Sequence, residues 1–241
     1  MADATPQTQA ADRIGANYYD TSGYFEEGAD HLLDPHSRFQ RYRVSEVLRI
    51  YTPAKDARVM DLGCGWGTFT AALTPRVGKL IAADFSLRSL ELTRLRMDAE
   101  GLASRAQLLC ADATSIPLGD ASLDVVLAAD LVEHLYPDQT VAMVEECARI
   151  LHPGGKLIVW TPNPGHIFER LRVLGVLRAD PSHVDYKTLG RMTGLLEAAG
   201  FEIERSEYRP SHLPGFRWAE RVLQRTIPPM RRRIAILANR L

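Results

Sequence analysis

The chain has 241 residues, 46% of them hydrophobic, and a formal net charge of −1 at pH 7. This size and composition allow one full-sized core, and the near-balanced charge excludes a surface built for general nucleic-acid binding. Three cysteines without a C-x-x-C pair argue against a disulfide framework or a zinc site and favour reduced thiols in a cytoplasmic setting. The sequence shows no secretory signal and no apolar run of the roughly 20 residues that cross a bilayer.

The first part of the chain combines a polar tail with an aromatic-rich arm. Residues 1–12 are expected to be frayed. The arm carries the aromatic residues Tyr18, Tyr19, Tyr24 and Phe25. A helical pattern over residues 37–51 follows, and Pro53 ends it. This pattern fits either a helix packed on the edge of a sheet or a lid over a ligand site.

From residue 58 the sequence alternates between apolar strand patterns and helical patterns. The predicted strands are 58–62, 79–83, 106–110, 123–129 and 156–161. The predicted helices are 68–73, a helix with Ser86 as N-cap and Gly101 after its end, and 139–151. Strands that are apolar almost throughout and are separated by helices indicate a parallel sheet covered on both faces. Right-handed crossovers make such a sheet doubly wound.

The alternation is interrupted after residue 162. The predicted elements there are helical spacing over 165–185, a helix over 186–199, a strand over 201–208 and a short amphipathic helix over 218–225. Pro228 and Pro229 break the pattern. The last segment, 234–241, fits either a final strand or a basic helix.

A glycine-rich turn lies between the first predicted strand and the helix that follows it. Gly63, Gly65 and Gly67 occupy alternate positions. Such a turn lets a ligand lie against bare backbone at a helix N-terminus. The spacing is G-x-G-x-G, whereas the dinucleotide fingerprint G-x-G-x-x-G has its third glycine where this chain has Thr68. This difference disfavours a nicotinamide-dependent reductase.

Carboxylates stand at the C-terminal ends of successive predicted strands. They are Asp61, Asp84, Asp112 and Asp130. In an open parallel sheet, ligands bind along this edge where the strand order reverses. An acid after the second strand can accept from both hydroxyls of a ribose, one after the third from an adenine amino group, and one after the first can act on a cationic amino group. The set complements a nucleoside that carries an amino acid, although each acid alone can also cap a helix.

Several segments resemble the motifs of the class I S-adenosylmethionine-dependent methyltransferases, in the small-molecule branch that includes ubiquinone-pathway, sugar and polyketide O-methyltransferases. The segments are 59–67, 83–86, 111–113, 116–118, 123–127, 132–135, 151–157 and 195–201. The resemblance implies a mostly parallel seven-stranded Rossmann-like sheet, with S-adenosylmethionine as donor and S-adenosylhomocysteine as product. The implied parts are a tail and helical lid arm at 1–52, a donor-binding core at 53–162, and an acceptor-side cap with the end of the same domain at 163–241.

The resemblance also implies a set of donor-binding residues. The set is Asp61, Gly63, Cys64, Gly65, Gly67, Asp84, Phe85, Ser86, Asp112, Ala113, Ala129 and Asp130. Within it the glycines line the methionine part of the donor, and Asp84 binds the ribose. Asp112 and Ala113 meet the adenine ring, on which Phe85 packs, and the last two members border the sulfonium. Trp66 either narrows the pocket or packs against the arm.

Methyl transfer to an oxygen atom also needs a group that removes the proton of the acceptor. Histidine suits this role near neutral pH, and His134 and His183 are the candidates, with His166 a weaker one. Each can instead be a core or capping histidine. Glu133 can orient His134 or cap the following turn. No cluster with metal-ligand spacing is found, so no metal is predicted.

The expected acceptor is a small molecule, methylated most plausibly on oxygen, and nucleic acid is not expected as a partner. Carbon or nitrogen methylation and a non-catalytic binding module are the alternatives, and the complete set of glycines and acids disfavours the module. The N-P-P-Y pattern of base amino-group methylation is absent after the fourth strand. The basic triplet Arg231, Arg232 and Arg233 is either a solvated flank or a contact to anionic lipid or a lipid-linked acceptor.

Overall fold

The structure is a computed structural model, and it describes residues 13–21, 23–25, 34, 37–213 and 215–241. Its strands are β1 (Arg58–Leu62), β2 (Lys79–Asp84), β3 (Ala106–Cys110), β4 (Leu123–Ala129), β5 (Leu151–Pro162), β6 (Phe201–Arg209) and β7 (Arg233–Arg240). They form one seven-stranded sheet in the order β3-β2-β1-β4-β5-β7-β6. The fraying expected for residues 1–12 lies outside the described residues.

Strands β1 to β5 run parallel to one another, and β7 is antiparallel to both of its neighbours, β5 and β6. The strand order reverses between β1 and β4, which are adjacent. The C-terminal ends of these two strands therefore border the crevice where sheets of this kind bind their ligands. The observed sheet confirms the predicted mostly parallel, doubly wound, seven-stranded fold.

The described helices cover both faces and the C-terminal edge of the sheet. They are α1 (Ala16–Thr21), α2 (Arg38–Ile50), α3 (Thr68–Leu73), α4 (Leu87–Ala99), α5 (Pro137–Ile150), α6 (Ile167–Val173), α7 (Leu189–Ala198) and α8 (Phe216–Leu223). Helix α4 begins where the Ser86 hydroxyl accepts a hydrogen bond from Ser89 N at 3.1 Å. None of the described helices has the length and apolar character that crossing a membrane requires.

Two apolar clusters lie on opposite faces of the central strands. One contains Met60 of β1 and Met143 of α5. The other contains Val59 of β1, Val47 of α2 and Trp160 of β5. Because neighbouring residues of one strand are buried on both faces, the strands are apolar throughout, as the sequence pattern indicated.

Strand β5 begins earlier than predicted, at Leu151 and not at Lys156. Leu151 pairs with Leu123, and the register then shifts so that Lys156 pairs with Val125. Residues 153–155, with the sequence Pro-Gly-Gly, therefore lie within the strand, at the point where the pairing with β4 is irregular. Helix α5 also begins earlier than predicted, because Pro137 fits the first helical position.

The helix predicted from the helical spacing over residues 165–185 is longer than the observed helix. Only Ile167–Val173 is helical, because Gly175 takes a left-handed φ of 73° just beyond the end of α6. Helix α7 starts after Thr188, whose hydroxyl accepts from Arg191 N at 3.2 Å. The last segment, which fitted either a strand or a helix, is strand β7.

Candidate active site

The glycine-rich turn after β1 leaves space above its middle glycine. Gly63, Gly65 and Gly67 have φ angles of 73°, 49° and 67°, which suit a residue without Cβ. A Cβ at Gly63 lies 2.9 Å from Leu131 Cδ1, and one at Gly67 lies 3.1 Å from Thr93 Cα. A Cβ at Gly65 meets nothing within 4 Å. The two outer glycines are thus needed for packing, and Gly65 borders space in which a ligand can approach the backbone.

Asp84, at the end of β2, ties this turn to the start of α4. Its Oδ2 accepts from Gly65 N at 2.9 Å and its Oδ1 accepts from Ser86 N at 3.0 Å. The residue is 8% exposed, and burial raises the pKa of its carboxyl group against the opposing effect of these hydrogen bonds. A carboxylate can accept about four hydrogen bonds. A third hydrogen bond to Asp84 comes from the Ser89 side chain, so the carboxylate can still accept from a ligand hydroxyl group while it holds the turn.

The acids after the first and third strands have local partners. Asp61 is buried and accepts from Thr70 Oγ1 at 2.6 Å, and burial raises its pKa to about 6. Asp112 is exposed, and its Oδ1 accepts from both the backbone N and Oγ1 of Thr114 at 2.8 Å. Asp112 therefore bonds within its own turn, and it does not cap a helix, since no helix begins in the described residues between β3 and β4. Contact of either acid with a donor stays a prediction.

Asp130, just after β4, lies between two arginines that sequence reasoning missed. Its Oδ2 accepts from Arg43 of α2, and its Oδ1 accepts from Arg233 of β7. Burial alone raises the pKa of this carboxyl group, but Arg233 and Arg43 outweigh burial, and the pKa is lowered. The backbone here is left-handed, with φ 54°. Asp130 is thus a partly buried anion paired with two cations, so its charge is already compensated at the edge where a sulfonium was expected.

Helix α1 crosses the C-terminal ends of the strands and contacts residues that follow β2 and residues that follow β4. Asp20 Oδ1 accepts from Ser86 Oγ at 2.6 Å, at the start of α4. The ring of Tyr19 lies 5.4 Å from that of Phe85, and its hydroxyl lies 3.2 Å from His134 Nδ1. These contacts support the lid interpretation of the arm.

Further contacts hold the arm in place. Arg13 Nη1 lies 2.8 Å from Asp138 Oδ2, in the first turn of α5. The ring of Phe25 meets the Trp66 ring edge to face at 5.0 Å. Of the two interpretations of Trp66, this contact supports packing against the arm.

His134 ends a short 3₁₀ turn, Val132–His134, beyond β4. Its Nδ1 lies 3.1 Å from the carbonyl oxygen of Ser182. A proton on Nδ1 satisfies that carbonyl and leaves Nε2 as the basic nitrogen. Burial, followed by the nearby His183, lowers the pKa of His134 to about 4. The imidazole is therefore neutral at pH 7 and able to accept a proton.

The two candidate histidines lie side by side. The rings of His134 and His183 are 4.8 Å apart. His183 Nδ1 lies 2.7 Å from the Tyr186 hydroxyl, and burial lowers the pKa of His183 against the opposing charge of Asp180. His166 lies elsewhere, fully buried with Nε2 3.0 Å from Glu220 Oε1 inside the cap.

Glu133 is buried beside this pair. Its Oε2 accepts from Thr161 Oγ1 at 2.9 Å, so the hydrogen bond shown goes to β5 and not to His134. Burial, with a further effect of Asp130, raises the pKa of Glu133 to about 8. One ligand atom from each of Glu133, His134 and His183 lies within 4.8 Å of the others, so the three could hold a metal ion. The prediction that no metal is bound stays a prediction.

Lys187 binds the 3₁₀ turn through two hydrogen bonds to backbone carbonyls, and sequence reasoning missed this residue. The side chain is fully buried, and its Nζ donates to the carbonyl oxygens of Val132 and, at 2.5 Å, Leu135. Burial lowers the pKa of Lys187 to about 8. A lone lysine before a helix cap gives no sequence signal for this contact.

The other predicted donor residues lie around the same edge. Cys64, Ala113 and Ala129 are buried, and Phe85 is partly buried. Cys64 Sγ lies 3.5 Å from Thr93 Oγ1, and burial raises the pKa of the thiol. The thiol is therefore protonated and takes no part in acid–base chemistry at pH 7.

The basic triplet makes its contacts within the protein. Arg231 Nε donates to Gln224 O at 2.9 Å, Arg232 Nη1 lies 3.3 Å from Glu169 Oε1, and Arg233 pairs with Asp130. These contacts argue against the triplet as the residues that meet a lipid surface.

Residues 59–155 match the family model described as a methyltransferase domain. A protein of Mycobacterium tuberculosis, described as a probable S-adenosylmethionine-dependent methyltransferase, is 33% identical over 164 residues, 68% of this chain and 55% of that protein. A ubiquinone biosynthesis O-methyltransferase of Xylella fastidiosa is 28% identical over 216 residues, 82% of this chain and 84% of that protein. The chain spans about half the length of several curated relatives that it matches.

Solved structures share the same fold. The PH0226 protein of Pyrococcus horikoshii superposes with a TM-score of 0.68 at 19% identity, covering 90% of this chain and 98% of that one. A geranyl diphosphate methyltransferase in complex with S-adenosylmethionine superposes with a TM-score of 0.62 at 13% identity, covering 84% and 85%. At these identities the likeness shows the fold alone.

Proposed function

We infer that this chain, which belongs to the class I S-adenosylmethionine-dependent methyltransferase family, transfers a methyl group from that donor to a small-molecule acceptor. We propose an oxygen atom of the acceptor as the site of methylation. The observation that carries the proposal is the position of Tyr19, which contacts Phe85 on one side and His134 on the other. These contacts support a site in which the donor and the proton acceptor lie under one helix.

The open space at Gly65 and the remaining acceptor capacity of Asp84 support the adenosyl donor as the ligand here. In this proposal Asp84 accepts from the ribose hydroxyls, Phe85 packs on the adenine ring, and the turn contacts the methionine part. Asp112 with Ala113 completes the adenine site, and Ala129 lies toward the sulfonium. The donor, when bound, supplies an electrophilic methyl group on a sulfur that leaves as a neutral thioether.

The residues of this chain then position the acceptor and move one proton. With the donor bound, the acceptor oxygen would lie in line with the carbon–sulfur bond of the donor, and an oxygen–carbon bond would form as the carbon–sulfur bond breaks. His134 Nε2 takes the proton of the acceptor hydroxyl, because Nδ1 is directed to the Ser182 carbonyl. His183 lies beside it as a second base or an orienting group. The helix α1 arm excludes water from the transfer.

Calorimetry with S-adenosylhomocysteine and with NADH tests the donor. We expect binding of the first and not of the second, and Asp84→Asn weakens that binding. A screen of hydroxylated, amino and activated-carbon small molecules with labelled donor then tests the acceptor. Label on hydroxylated compounds supports oxygen methylation. Label only on amines or carbon acids overturns it, and no donor binding at millimolar concentration removes the enzyme proposal.

The three free thiols, Cys64, Cys110 and Cys147, agree with a reducing compartment, and we propose the cytoplasm.

A further inference from the structure

Beyond α6 the chain presents a loop of apolar side chains to solvent. We call residues 173–177 the apolar loop. The exposed fractions are 78% for Val173, 73% for Leu174, 67% for Val176 and 38% for Leu177. Exposed apolar groups in a row are costly in water and mark interaction surfaces.

The apolar loop is a formed structure and not a frayed helix end. Val176 N donates to Leu171 O at 2.9 Å, and Gly175 N donates to Arg172 O at 3.0 Å, with Gly175 left-handed. This pair of bonds is a Schellman motif, which normally buries the residue after the glycine against the helix. Here Val176 faces outward instead, so the motif displays the apolar side chains.

Arginines flank the apolar loop on both sides. Arg170 precedes it and Arg178 follows it, and both are exposed. The nearest acid in the sequence is Asp180, which is partly buried and whose Oδ1 accepts from Ser182 N at 2.9 Å and from Ser182 Oγ at 2.6 Å. Glu169, on the other side, is buried and bonded to Arg172 at 2.7 Å and Arg232 at 3.3 Å. The exposed charged side chains that directly flank the apolar loop are therefore the two arginines.

Helix α8 presents a similar combination in the same cap. Trp218 is 72% exposed and Val222 is 52% exposed. Arg221 and Arg225 are exposed beside them, and neither forms a side-chain hydrogen bond or ion pair with any residue that the structure describes. A tryptophan and a valine among arginines are typical of a helix that lies in a lipid headgroup layer.

The two surfaces belong to one packed unit. The rings of Phe168 on α6 and Phe216 on α8 stack at 5.7 Å. Below them His166 Nε2 lies 3.0 Å from Glu220 Oε1, and both side chains are fully buried. Helices α6 and α8 are therefore packed against each other, and the exposed residues of the apolar loop and of α8 belong to the same packed pair of helices.

We propose that the apolar loop and the exposed side of α8 dock this protein on an anionic lipid bilayer surface. The apolar side chains enter the acyl boundary, and the arginines contact the phosphate groups. A second copy of this chain is a poorer occupant, because a two-fold contact brings the arginines of one copy against those of the other. The proposal is independent of methyl transfer, and it assigns lipid contact to these residues and not to the basic triplet at 231–233.

Vesicle sedimentation tests the proposal. The full chain is incubated with vesicles of phosphatidylcholine alone and of phosphatidylcholine with phosphatidylglycerol, at low and high salt. We expect binding to the anionic vesicles that falls about ten-fold or more between 50 mM and 500 mM salt. Leu174→Gln with Val176→Gln is expected to reduce partition about ten-fold. The matched control replaces the exposed Leu95 of α4 and Val141 of α5 by Gln and is expected to bind as the unsubstituted chain does.

Tryptophan emission gives a second measurement that separates docking from misfolding. Trp160 is fully buried, Trp66 is partly buried against Phe25, and Trp218 is exposed. Anionic vesicles are therefore expected to shift the emission of Trp218 to shorter wavelength, and Trp218→Phe removes that shift while binding persists. Equal binding of the loop variant and the control variant overturns the proposal, as does equal binding to neutral vesicles. Loss of self-association in the loop variant without vesicle binding also overturns it in favour of a second copy.

Discussion

The donor half and the acceptor half of the proposed site differ in how far apart their parts lie along the chain. On the donor half, Gly65 and Asp84 are 19 residues apart and bond directly. On the acceptor half, Tyr19 and His134 are 115 residues apart, and His134 and Ser182 are 48 apart. The donor half is thus formed by residues that are close in sequence. The acceptor half forms only when the segments that carry Tyr19 and Ser182 have packed against His134. We expect substitutions in the two halves to separate donor binding from turnover.

The largest effect is expected for His134→Ala. This substitution removes the proposed general base and leaves the donor half unchanged, so we expect kcat to fall about 10²- to 10⁴-fold and the donor Kd to stay within about two-fold. Turnover with labelled donor and calorimetry measure the two quantities. His152→Ala, in a surface pair with Asp124, is the control and is expected to keep full activity. A larger fall for His183→Ala than for His134→Ala would exchange their roles, and normal turnover in both variants would remove the base from the mechanism.

A pair of glycine substitutions is expected to divide stability from donor binding within the donor half. Alanine at a left-handed position costs about 1–2 kcal/mol at either site. Gly63→Ala also places Cβ 2.9 Å from Leu131, so it lowers Tm further. Gly65→Ala enters the open space, so it weakens S-adenosylhomocysteine binding about ten-fold or more with the smaller loss of Tm. Thermal melting and calorimetry test both variants, and equal donor affinity in the two would contradict the assignment of the space above Gly65.

Lys187→Met tests whether the acceptor half depends on its support. The carbonyls of Val132 and Leu135 lose their buried donor, which costs about 1–3 kcal/mol of unfolding free energy. His134 is displaced with the turn, and kcat falls about ten-fold with an unchanged donor Kd. Lys156→Met, at a surface pair with Glu204, is the control and changes stability by about 1 kcal/mol or less. An unchanged kcat would leave Lys187 a purely structural residue.

The smallest effects are expected from pH. Because the pKa of His134 is lowered to about 4, the acid limb of the kcat/KM profile falls near pH 4 and not near 6.5. Between pH 4 and 6.5 the imidazole of His134 is protonated in the unfolded chain but neutral in the native state. The contribution of this residue therefore lowers the free energy of unfolding as the pH falls from 6.5 toward 4. An acid limb near pH 6.5 would show an exposed, unperturbed base.

Glu133 is expected to act in the opposite direction. Its pKa is raised to about 8, so between pH 4.5 and 8 the native state keeps a proton that the unfolded chain releases. The contribution of Glu133 to the free energy of unfolding is therefore complete below pH 4.5 and is lost as the pH rises toward 8. Melting temperatures of Glu133→Gln are expected to fall less between pH 6 and 8 than those of the unsubstituted chain or of the surface control Glu204→Gln. An equal fall in all three would contradict the raised pKa.

Much of the donor half could be predicted because its signals are local. The glycine spacing, the acid after β2 and the N-cap Ser86 lie within one strand–turn–helix repeat and each has a physical reason visible in the sequence. The position of Asp130 after β4 was predicted for the same reason. Its partners were not, because Arg43 and Arg233 reach it from 87 and 103 residues away.

The acceptor half could be predicted only as a set of residue types. His134 and His183 stood out as histidines near strand ends, but nothing in the sequence placed their rings 4.8 Å apart. Tyr19 was named within the aromatic arm, but an aromatic arm is compatible with many packings, so its contact with His134 could not be predicted. Lys187 had no signal in the sequence. The excess helix predicted over 165–185 has a local cause, because helical spacing continued past Gly175, where the backbone turns left-handed.

The position of β7 between β5 and β6 has a consequence for the order in which the fold assembles. Strand β6 is made before β7 but pairs with β7 alone, so it has no place in the sheet until β7 has arrived. Until then Phe201, which is buried in the finished protein, stays open to water and to chaperones. The donor half can therefore form early during synthesis, whereas β6 can join the sheet only after β7 has been made.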